Sequence, residues 1–334
     1  MARRKARRNA AIALGLVAAA SAAVMLAPRV PMPPAAPARI VLPPPPAPRP
    51  AVNKPVVAPP TLANPVPAPA PSAVPPPAST TPAPAPMPAW QRYAAAAPAI
   101  SDTRPWVAIV IDDLGLDRKR SARTVALPGP LTLAWLPYAA DVTRQAQSAR
   151  AAGHELLLHA PMQPQGRENP GPNALTTDLS SEEIRRRVAG YLALLPEAVG
   201  LNNHMGSHFT RDAGAMASVI AELKSRGLLF LDSRTALDSV AAGVARAADL
   251  PHSVRDVFLD NELNADYVNA RLTELEAVAR RRGTAIAIGH PHEATLNALE
   301  PWLAALSARG LTLAPLTAIV QRRGASQVSA GPPT

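Results

Sequence analysis

The sequence predicts an α/β fold for the C-terminal two thirds of this 334-residue chain, with a parallel sheet curled into a distorted (β/α)7-8 barrel. Beyond Trp106, short and almost continuously apolar runs alternate with longer amphipathic stretches, which is typical of strands buried on both faces by helices. About 215 residues and seven or eight β/α units suit a barrel better than an open doubly wound sheet, which remains the alternative. The eight candidate strands are Val107 to Ile111, Leu131 to Leu136, Glu155 to His159, Val199 to Asn202, Leu228 to Leu231, Val257 to Leu259, Thr284 to Ile288 and Leu311 to Leu313.

Two of the intervening helices carry clear end signals. A Ser-Ser-Glu-Glu capping pattern opens the segment from Ser180 to Leu195, and Gly227 closes the segment from Asp212 to Arg226. These signals place two helices between consecutive candidate strands.

The N-terminal segment, residues 1–27, resembles an export signal. A positive run from Arg3 to Arg8 precedes an uncharged apolar stretch from Ala10 to Ala27. Its length is close to the roughly 20 residues that span a bilayer, so we expect a membrane anchor, with a cleaved signal peptide as the alternative. Both predict that the domain lies in the bacterial periplasm or on the outer face of the cytoplasmic membrane.

Residues 28–104 are predicted to form a disordered linker. Of the 41 prolines in the chain, 26 lie between Pro28 and Pro98, which favours extended polyproline II structure. We interpret this segment as a spacer, and a docking site for a protein partner is the alternative. The folded domain is expected at residues 105–322, followed by a disordered tail at 323–334.

The charge distribution argues against a nucleic-acid partner. Ten of the 34 basic residues lie in residues 1–101, which contain no acidic residue, so the remaining 24 balance all 24 Asp and Glu. The chain has no cysteine, so any metal ligands must be His, Asp, Glu or water.

Residues able to bind metal or transfer protons stand directly after the apolar runs, where active sites of parallel α/β folds form. In chain order they are Asp112, Asp113, His159, His204, His208, Asp232, Arg234, Asp260, His290 and His292. Their shared position predicts one functional site at the carboxyl ends of the strands.

The spacing of His204 and His208 would let both imidazoles meet one divalent cation if the intervening residues form a helical turn. An aspartate from the pair Asp112 and Asp113 would supply a third ligand, and the second aspartate would serve as the base on a bound water. His290, between Gly289 and Pro291, is a candidate general acid, because histidine titrates near neutral pH.

These motifs resemble those of the polysaccharide deacetylases, in their divergent, bacterial envelope branch. The resemblance covers roughly residues 105–320 and rests on the strings Leu158 to Met162, Asn202 to Ser207, Asp232 to Thr235 and Gly289 to His292. It implies a distorted barrel of the polysaccharide deacetylase type, with Asp112 as base, His290 as acid, and Asp113, His204 and His208 as ligands of a divalent metal, with zinc favoured.

The same resemblance assigns supporting or substrate-binding roles to further residues. Arg234 would orient the catalytic aspartate, although the Pro-Tyr that usually follows is missing, and Asp256 or Asp260 would support the site. His159, Asp232 and His292 complete this supporting set. The implied reaction is hydrolysis of N-acetyl groups on an envelope carbohydrate.

Two other functional classes are considered. A catalytically inactive domain of the same fold could bind glycan or an envelope protein, which the missing Pro-Tyr favours. A serine hydrolase based on Ser207 and His208 is disfavoured, because the sequence has no Gly-x-Ser-x-Gly elbow. Among the few aromatic residues, Trp135 and Tyr138 are the better candidates for stacking on a sugar, and Trp302 is expected in the core.

Overall fold

The structure is a computed structural model that describes residues 87–99 and 103–329. The predicted anchor at residues 1–27, the linker residues 28–86 and 100–102, and residues 330–334 of the predicted tail lie outside this part. Within the described residues, no helix combines the length and apolar character needed to cross a bilayer.

The described strands form a single curled parallel sheet, which is the distorted barrel that the alternating pattern predicts. The sheet has the order β6-β5-β4-β3-β2-β1-β8-β7, with the short β9 paired to β1. Its two edge strands, β6 and β7, are not paired with each other, so the barrel is open along one side. The strands are β1 (Trp106–Leu114), β2 (Thr132–Trp135), β3 (Glu155–Met162), β4 (Gly200–Met205), β5 (Leu229–Asp232), β6 (His252–Val254), β7 (Val257–Phe258), β8 (Thr284–Gly289) and β9 (Thr312–Leu313).

Helices cover the outside of the sheet. Ser180 caps α4 by accepting a hydrogen bond from the backbone N–H of Glu183 at 3.2 Å, as the capping pattern predicts. Asp212 caps α5 in the same way, accepting from the N–H of Ala215 at 2.8 Å. The described helices are α1 (Ala89–Arg92), α2 (Arg118–Val125), α3 (Val142–Ala151), α4 (Ser181–Leu192), α5 (Ala213–Ser225), α6 (Ala241–Ala247), α7 (Ala265–Arg282), α8 (Glu293–Ala304) and α9 (Leu316–Ser329).

Strand alternation divides the core into two layers. In β1, Val107 and Ile109 belong to the layer between the sheet and the outer helices, whereas Ala108 and Val110 face the inside of the curled sheet. Ile319 of α9 packs into the inner layer. Because both faces of the sheet are buried, its strands are continuously apolar and their polar residues fall at the ends.

The predicted boundaries of the folded unit need correction at both ends. Residues 87–99 were assigned to the linker, but Trp90 is buried and its N–H donates to the carbonyl oxygen of Gly227 at 2.9 Å. At the other end, α9 continues to Ser329, beyond the expected boundary at residue 322. The composition of both segments hid their contacts with the domain. The strand β6 was also missed, because two of its three residues, His252 and Ser253, are polar and it forms no apolar run.

One buried histidine has a purely structural environment. His154 is 1% exposed, its Nδ1 accepts a hydrogen bond from the N–H of Leu131 at 3.1 Å, and its Nε2 donates to the carbonyl oxygen of Val125 at 3.0 Å. This arrangement requires the neutral ring, because a protonated Nδ1 could not accept. Burial lowers the pKa of His154, and the hydrogen bond to Val125 offsets only part of that effect.

The lowered pKa of His154 predicts that the domain loses stability as the pH falls below about 6.5, the value for histidine in an unfolded chain. The unfolded state then binds the proton more readily, and one group contributes at most about 1.4 kcal/mol per pH unit. Urea unfolding of the full chain between pH 7.5 and 5.5 would measure this slope. We expect a shallower slope for His154→Gln. If the free energy of unfolding has the same pH dependence in both proteins, the pKa of His154 is not lowered by folding, because all other titrating groups are common to both.

Candidate metal centre

The parallel register of β3 and β4 brings their polar residues to the same level. His159 pairs with Asn202, and Pro161 pairs with His204. Alternate residues of a strand point to the same side, so Asn202 and His204 share one face of β4. The neighbouring imidazoles of His159 and His204 meet edge to face, with ring centroids 4.9 Å apart.

The end of β1 directs two adjacent carboxylates into this pocket. The pairing of β1 with β2 is irregular between Ile111 and Leu114, and Asp113 has a φ of 58°, in the left-handed region. As a result, Asp112 Oδ2 and Asp113 Oδ1 lie 3.6 and 3.2 Å from the same atom, His159 Nε2. In a regular strand the two side chains would point to opposite sides.

Three potential ligand atoms converge on one point. Asp113 Oδ1 lies 3.2 Å from His159 Nε2 and 2.8 Å from His204 Nδ1, and the two nitrogens are 3.2 Å apart. Ligands held at about 2.0–2.1 Å by a tetrahedral zinc ion lie about 3.3 Å from one another. The spacing of Asp113, His159 and His204 therefore fits a single divalent cation with a position left for water.

The bonding of Asp113 also fits a cation. Its Oδ1 is buried, and neither nearby imidazole nitrogen meets it with hydrogen-bond geometry. Burial by itself would raise the pKa of Asp113, but the contacts with His159 and His204 outweigh it and hold the pKa well below the usual range. Asp113 is therefore ionised, and its buried Oδ1 lies within 3.2 Å of two imidazole nitrogens without a hydrogen bond.

The second carboxylate has the opposite tendency. Asp112 is 2% exposed, and burial raises its pKa, an effect that His159, His290 and Asn202 reduce without cancelling. A carboxylate that binds a proton more readily is better suited to act as a base than an ordinary aspartate.

Asn202 connects the base to the metal group. Its Nδ2 donates to Asp112 Oδ1 at 2.8 Å and to Ser233 Oγ at 3.2 Å, while its Oδ1 lies 2.9 Å from His159 Nδ1. Because the amide oxygen accepts, His159 carries a proton on Nδ1, and its neutral form presents the Nε2 lone pair to the centre. One buried side chain thus orients both residues.

His290 directly follows β8, which pairs with β1 on the side away from β2, and it faces the same centre. Its Nε2 lies 3.8 Å from Asp113 Oδ2, and its Nδ1 lies 3.0 Å from Asp260 Oδ1. Asp260 also accepts from the N–H of His290 at 2.6 Å and from Thr295 Oγ1 at 2.7 Å. Burial by itself would lower the pKa of His290, but Asp260 outweighs it and raises that pKa to about 9. In the same pair, the contact with His290 lowers the pKa of Asp260 against the opposing effect of burial.

The structure does not bring His208 to this group. His204 still belongs to β4, and the chain then turns through Met205 and Gly206, whose φ values are 53° and 86°. The segment is therefore not a helical turn, which was the condition for the expected histidine pair. His208 is exposed at the start of a short 3-10 turn, and His159, expected in a supporting role, lies in the position of the third ligand.

Asp232 and Arg234 shape the loop after β5. Asp232 accepts hydrogen bonds from the N–H of Arg234 and from Ser239 Oγ, both at 2.8 Å. Arg234 is exposed, has a φ of 51°, and makes no side-chain contact with Asp112. The side chain that orients Asp112 by a hydrogen bond is therefore Asn202 and not Arg234.

The remaining two predicted residues lie at the margins. Asp256 pairs with Arg323 at 2.6 Å and with Arg282 at 3.1 Å, so its contacts close the open side of the sheet. His292 stands beside His290, with ring centroids 5.7 Å apart, and forms with Asp260 and His290 a second group of potential ligands. Both oxygens of Asp260 in that group already accept hydrogen bonds.

Of the two aromatic residues that the sequence favours for stacking on a sugar, only one lies near the site. Trp135 is 1% exposed and belongs to the core, as does Trp302, so Trp135 is not available to a sugar. Tyr138 is half-buried, and burial together with the charge of Asp113 raises its pKa, which places it near the centre. Phe258, which the sequence did not single out, packs edge to face against His290 with centroids 5.5 Å apart.

Comparisons with known proteins identify the family of this chain. The profile of the family described as divergent polysaccharide deacetylase matches residues 109–320. The protein YibQ of Escherichia coli strain K12 is 37% identical over 194 residues, which cover 58% of this chain and 61% of YibQ. A protein of Haemophilus influenzae strain Rd is 34% identical over 197 residues, covering 59% of this chain and 70% of that protein.

A solved structure agrees with the fold. The crystal structure of the protein ATU2773 from Agrobacterium tumefaciens C58 matches with a TM-score of 0.65 and 29% identity, covering 70% of this chain and 95% of that one. The family match, the curled parallel sheet and the polar strand ends agree with one another. This chain therefore belongs to the divergent polysaccharide deacetylase family.

Proposed function

We propose that this chain hydrolyses N-acetyl groups on a carbohydrate of the bacterial cell envelope, with a divalent metal, zinc in the first instance, held by Asp113, His159 and His204. The observation that carries the proposal is the convergence of one carboxylate oxygen and two imidazole nitrogens within 3.2 Å of one another. A base and an acid flank this point. The charged run and the apolar stretch within residues 1–27 support the cell envelope as the location of the domain.

The chemistry follows from the groups around the metal site. Zinc would supply Lewis acidity and lower the pKa of a bound water. Asp112 Oδ2 is the oxygen free to accept the proton of that water, because Asp112 Oδ1 is bonded to Asn202.

Departure of the amine requires a proton at the opposite side of the acetyl group. His290 can donate it from Nε2, since its Nδ1 is held by Asp260. The ion pair with Asp260 keeps the imidazole protonated near neutral pH and fixes its direction. Base and acid thus approach the metal group from different strands, β1 and β8.

A second candidate function is binding without catalysis. Arg234 does not contact Asp112, and the Pro-Tyr that the family motif places after this arginine is missing, so one supporting interaction is lost. The donor set that would hold a metal is complete without that arginine, and this favours the hydrolase over a binding domain.

The catalytic proposal predicts that the zinc-loaded full chain releases acetate from an N-acetylated oligosaccharide. Asp112→Asn should lower kcat by about 10²- to 10⁴-fold, the usual contribution of a general base, while retaining the metal. Acetate release and bound zinc would be measured together. Asp266→Asn, which neutralises an exposed aspartate in the first turn of α7, is the matched control and should leave the rate unchanged. A zinc-loaded chain that is inactive on all acetylated glycans tested would favour the binding function, and full activity of Asp112→Asn would exclude Asp112 as base.

The geometry also predicts which histidines hold the metal. His159→Ala should weaken zinc binding by about 100-fold or more, because residues that merely support a ligand already contribute 10- to 100-fold. His208→Ala should bind zinc as the unaltered chain does. Zinc affinity is measured by competition with a chromogenic chelator, with circular dichroism to verify folding. Loss of zinc in His208→Ala with retention in His159→Ala would reverse the assignment.

A further inference from the structure

A basic cleft lies along the open side of the sheet. Its volume is about 850 Å³, within the range of small-molecule sites, and none of the proposed metal ligands lines it. The edge strands β6 and β7 run along the opening, and Arg255 and Asp256 connect them. Five arginines and two aspartates line the cleft: Arg234, Arg246, Arg255, Arg282, Arg323, Asp249 and Asp256.

Part of this positive charge is compensated within the protein. Asp256 pairs with both Arg323 and Arg282. Arg323 also donates to Ser253 Oγ at 2.8 Å and to Thr284 Oγ1 at 3.0 Å, so it ties β6 to β8. This end of the cleft is therefore a structural closure.

The other three arginines have no acidic partner. Arg234, Arg246 and Arg255 form no ion pair within the described part of the chain, and Arg234 and Arg246 are exposed. Arg255 is half-buried and donates only to two neutral acceptors, the carbonyl oxygens of Ser233 at 2.7 Å and of Arg234 at 3.1 Å. Burial and then the charge of Arg234 lower the pKa of Arg255, and the more weakly acting charges of Asp112, Asp232 and Asp256 offset only part of this effect. Neighbouring guanidinium groups such as those of Arg234 and Arg255 are stabilised by an anion, and their planar donors suit carboxylate and phosphate.

Arg255, one of these three arginines, lies next to the metal centre. Arg255 stacks over the ring of Phe258, with the guanidinium carbon 4.7 Å from the centroid. The ring of Phe258 also packs edge to face against the imidazole of His290. Ser233, whose carbonyl oxygen accepts from Arg255, also accepts from Asn202 beside Asp112. A single aromatic ring thus separates the cleft from the proposed acid.

We propose that this cleft binds an anionic segment of the glycan, so that the substrate is an acidic carbohydrate whose carboxylate or phosphate groups lie near the N-acetylated sugar. The assignment deepens the proposed hydrolase function and rests on it for the identity of the neighbouring sugar. Binding in the cleft depends on the arginines alone and is measurable without catalysis.

The test is the binding of three probes to the full chain by titration calorimetry: a hexamer of galacturonate, the neutral hexamer of N-acetylglucosamine, and inorganic phosphate. We expect the acidic hexamer to bind more tightly than the other two, with an affinity that falls as salt rises. The double variant Arg234→Gln with Arg246→Gln should weaken its binding by about tenfold or more, since each charge-assisted contact contributes substantially.

The matched control removes two exposed basic charges that do not line the cleft, Lys119→Gln with Arg281→Gln, and should change the affinity by less than about twofold. All variants keep the ten basic residues of residues 1–101, so binding to those residues contributes equally to every affinity that is compared. Equal weakening in both double variants, equal affinity for the neutral hexamer, or equally tight binding of inorganic phosphate would overturn the proposal. Repeating the titration with Asp112→Asn separates the two proposals, because loss of hydrolysis there should leave the binding of the acidic hexamer intact.

Discussion

The close approach of Asp113 Oδ1 to the ring nitrogens of His159 and His204 is the constraint on which the rest of the site depends. Three electron-rich atoms within 3.2 Å of one another, one of them buried without a hydrogen bond, are unfavourable unless a cation or protons lie between them. The fold maintains this arrangement with features that have a cost of their own. Asp113 adopts a left-handed backbone, and β1 loses regular pairing at its end.

Buried polar side chains behind the ligands hold this geometry. Asn202 fixes the tautomer of His159 and the direction of Asp112 through one amide, and Asp260 does the same for His290 through three accepted contacts. Asn202 lies on β4, whereas Asp260 lies in the loop that follows β7. The same strand ends lead by way of Phe258 and Arg255 into the basic cleft, so the proposed chemistry and the proposed recognition share one edge of the sheet.

Much of the fold follows from the sequence, because strands buried on both faces must be apolar throughout and leave their polar residues at the ends. The cap at Ser180 is predictable from sequence because a capping motif depends only on residues within the first turn of the helix. His208 shows where local reading fails, since a spacing of four residues indicates a shared direction only within a helix, and this segment is a strand end followed by a turn. His159 and Asn202 come together through the register of β3 and β4, a long-range pairing that no single segment encodes. Likewise, Trp90 and Arg323 of α9 contact the domain although their surroundings are rich in alanine or polar residues.

The central claim, a single cation held by one aspartate and two histidines from β1, β3 and β4, is tested most directly by anomalous diffraction at the zinc edge from crystals of the zinc-loaded protein. The account predicts one strong peak about 2.0–2.2 Å from Asp113 Oδ1, His159 Nε2 and His204 Nδ1. A peak coordinated by His208, or the absence of any peak among these three atoms, would contradict it.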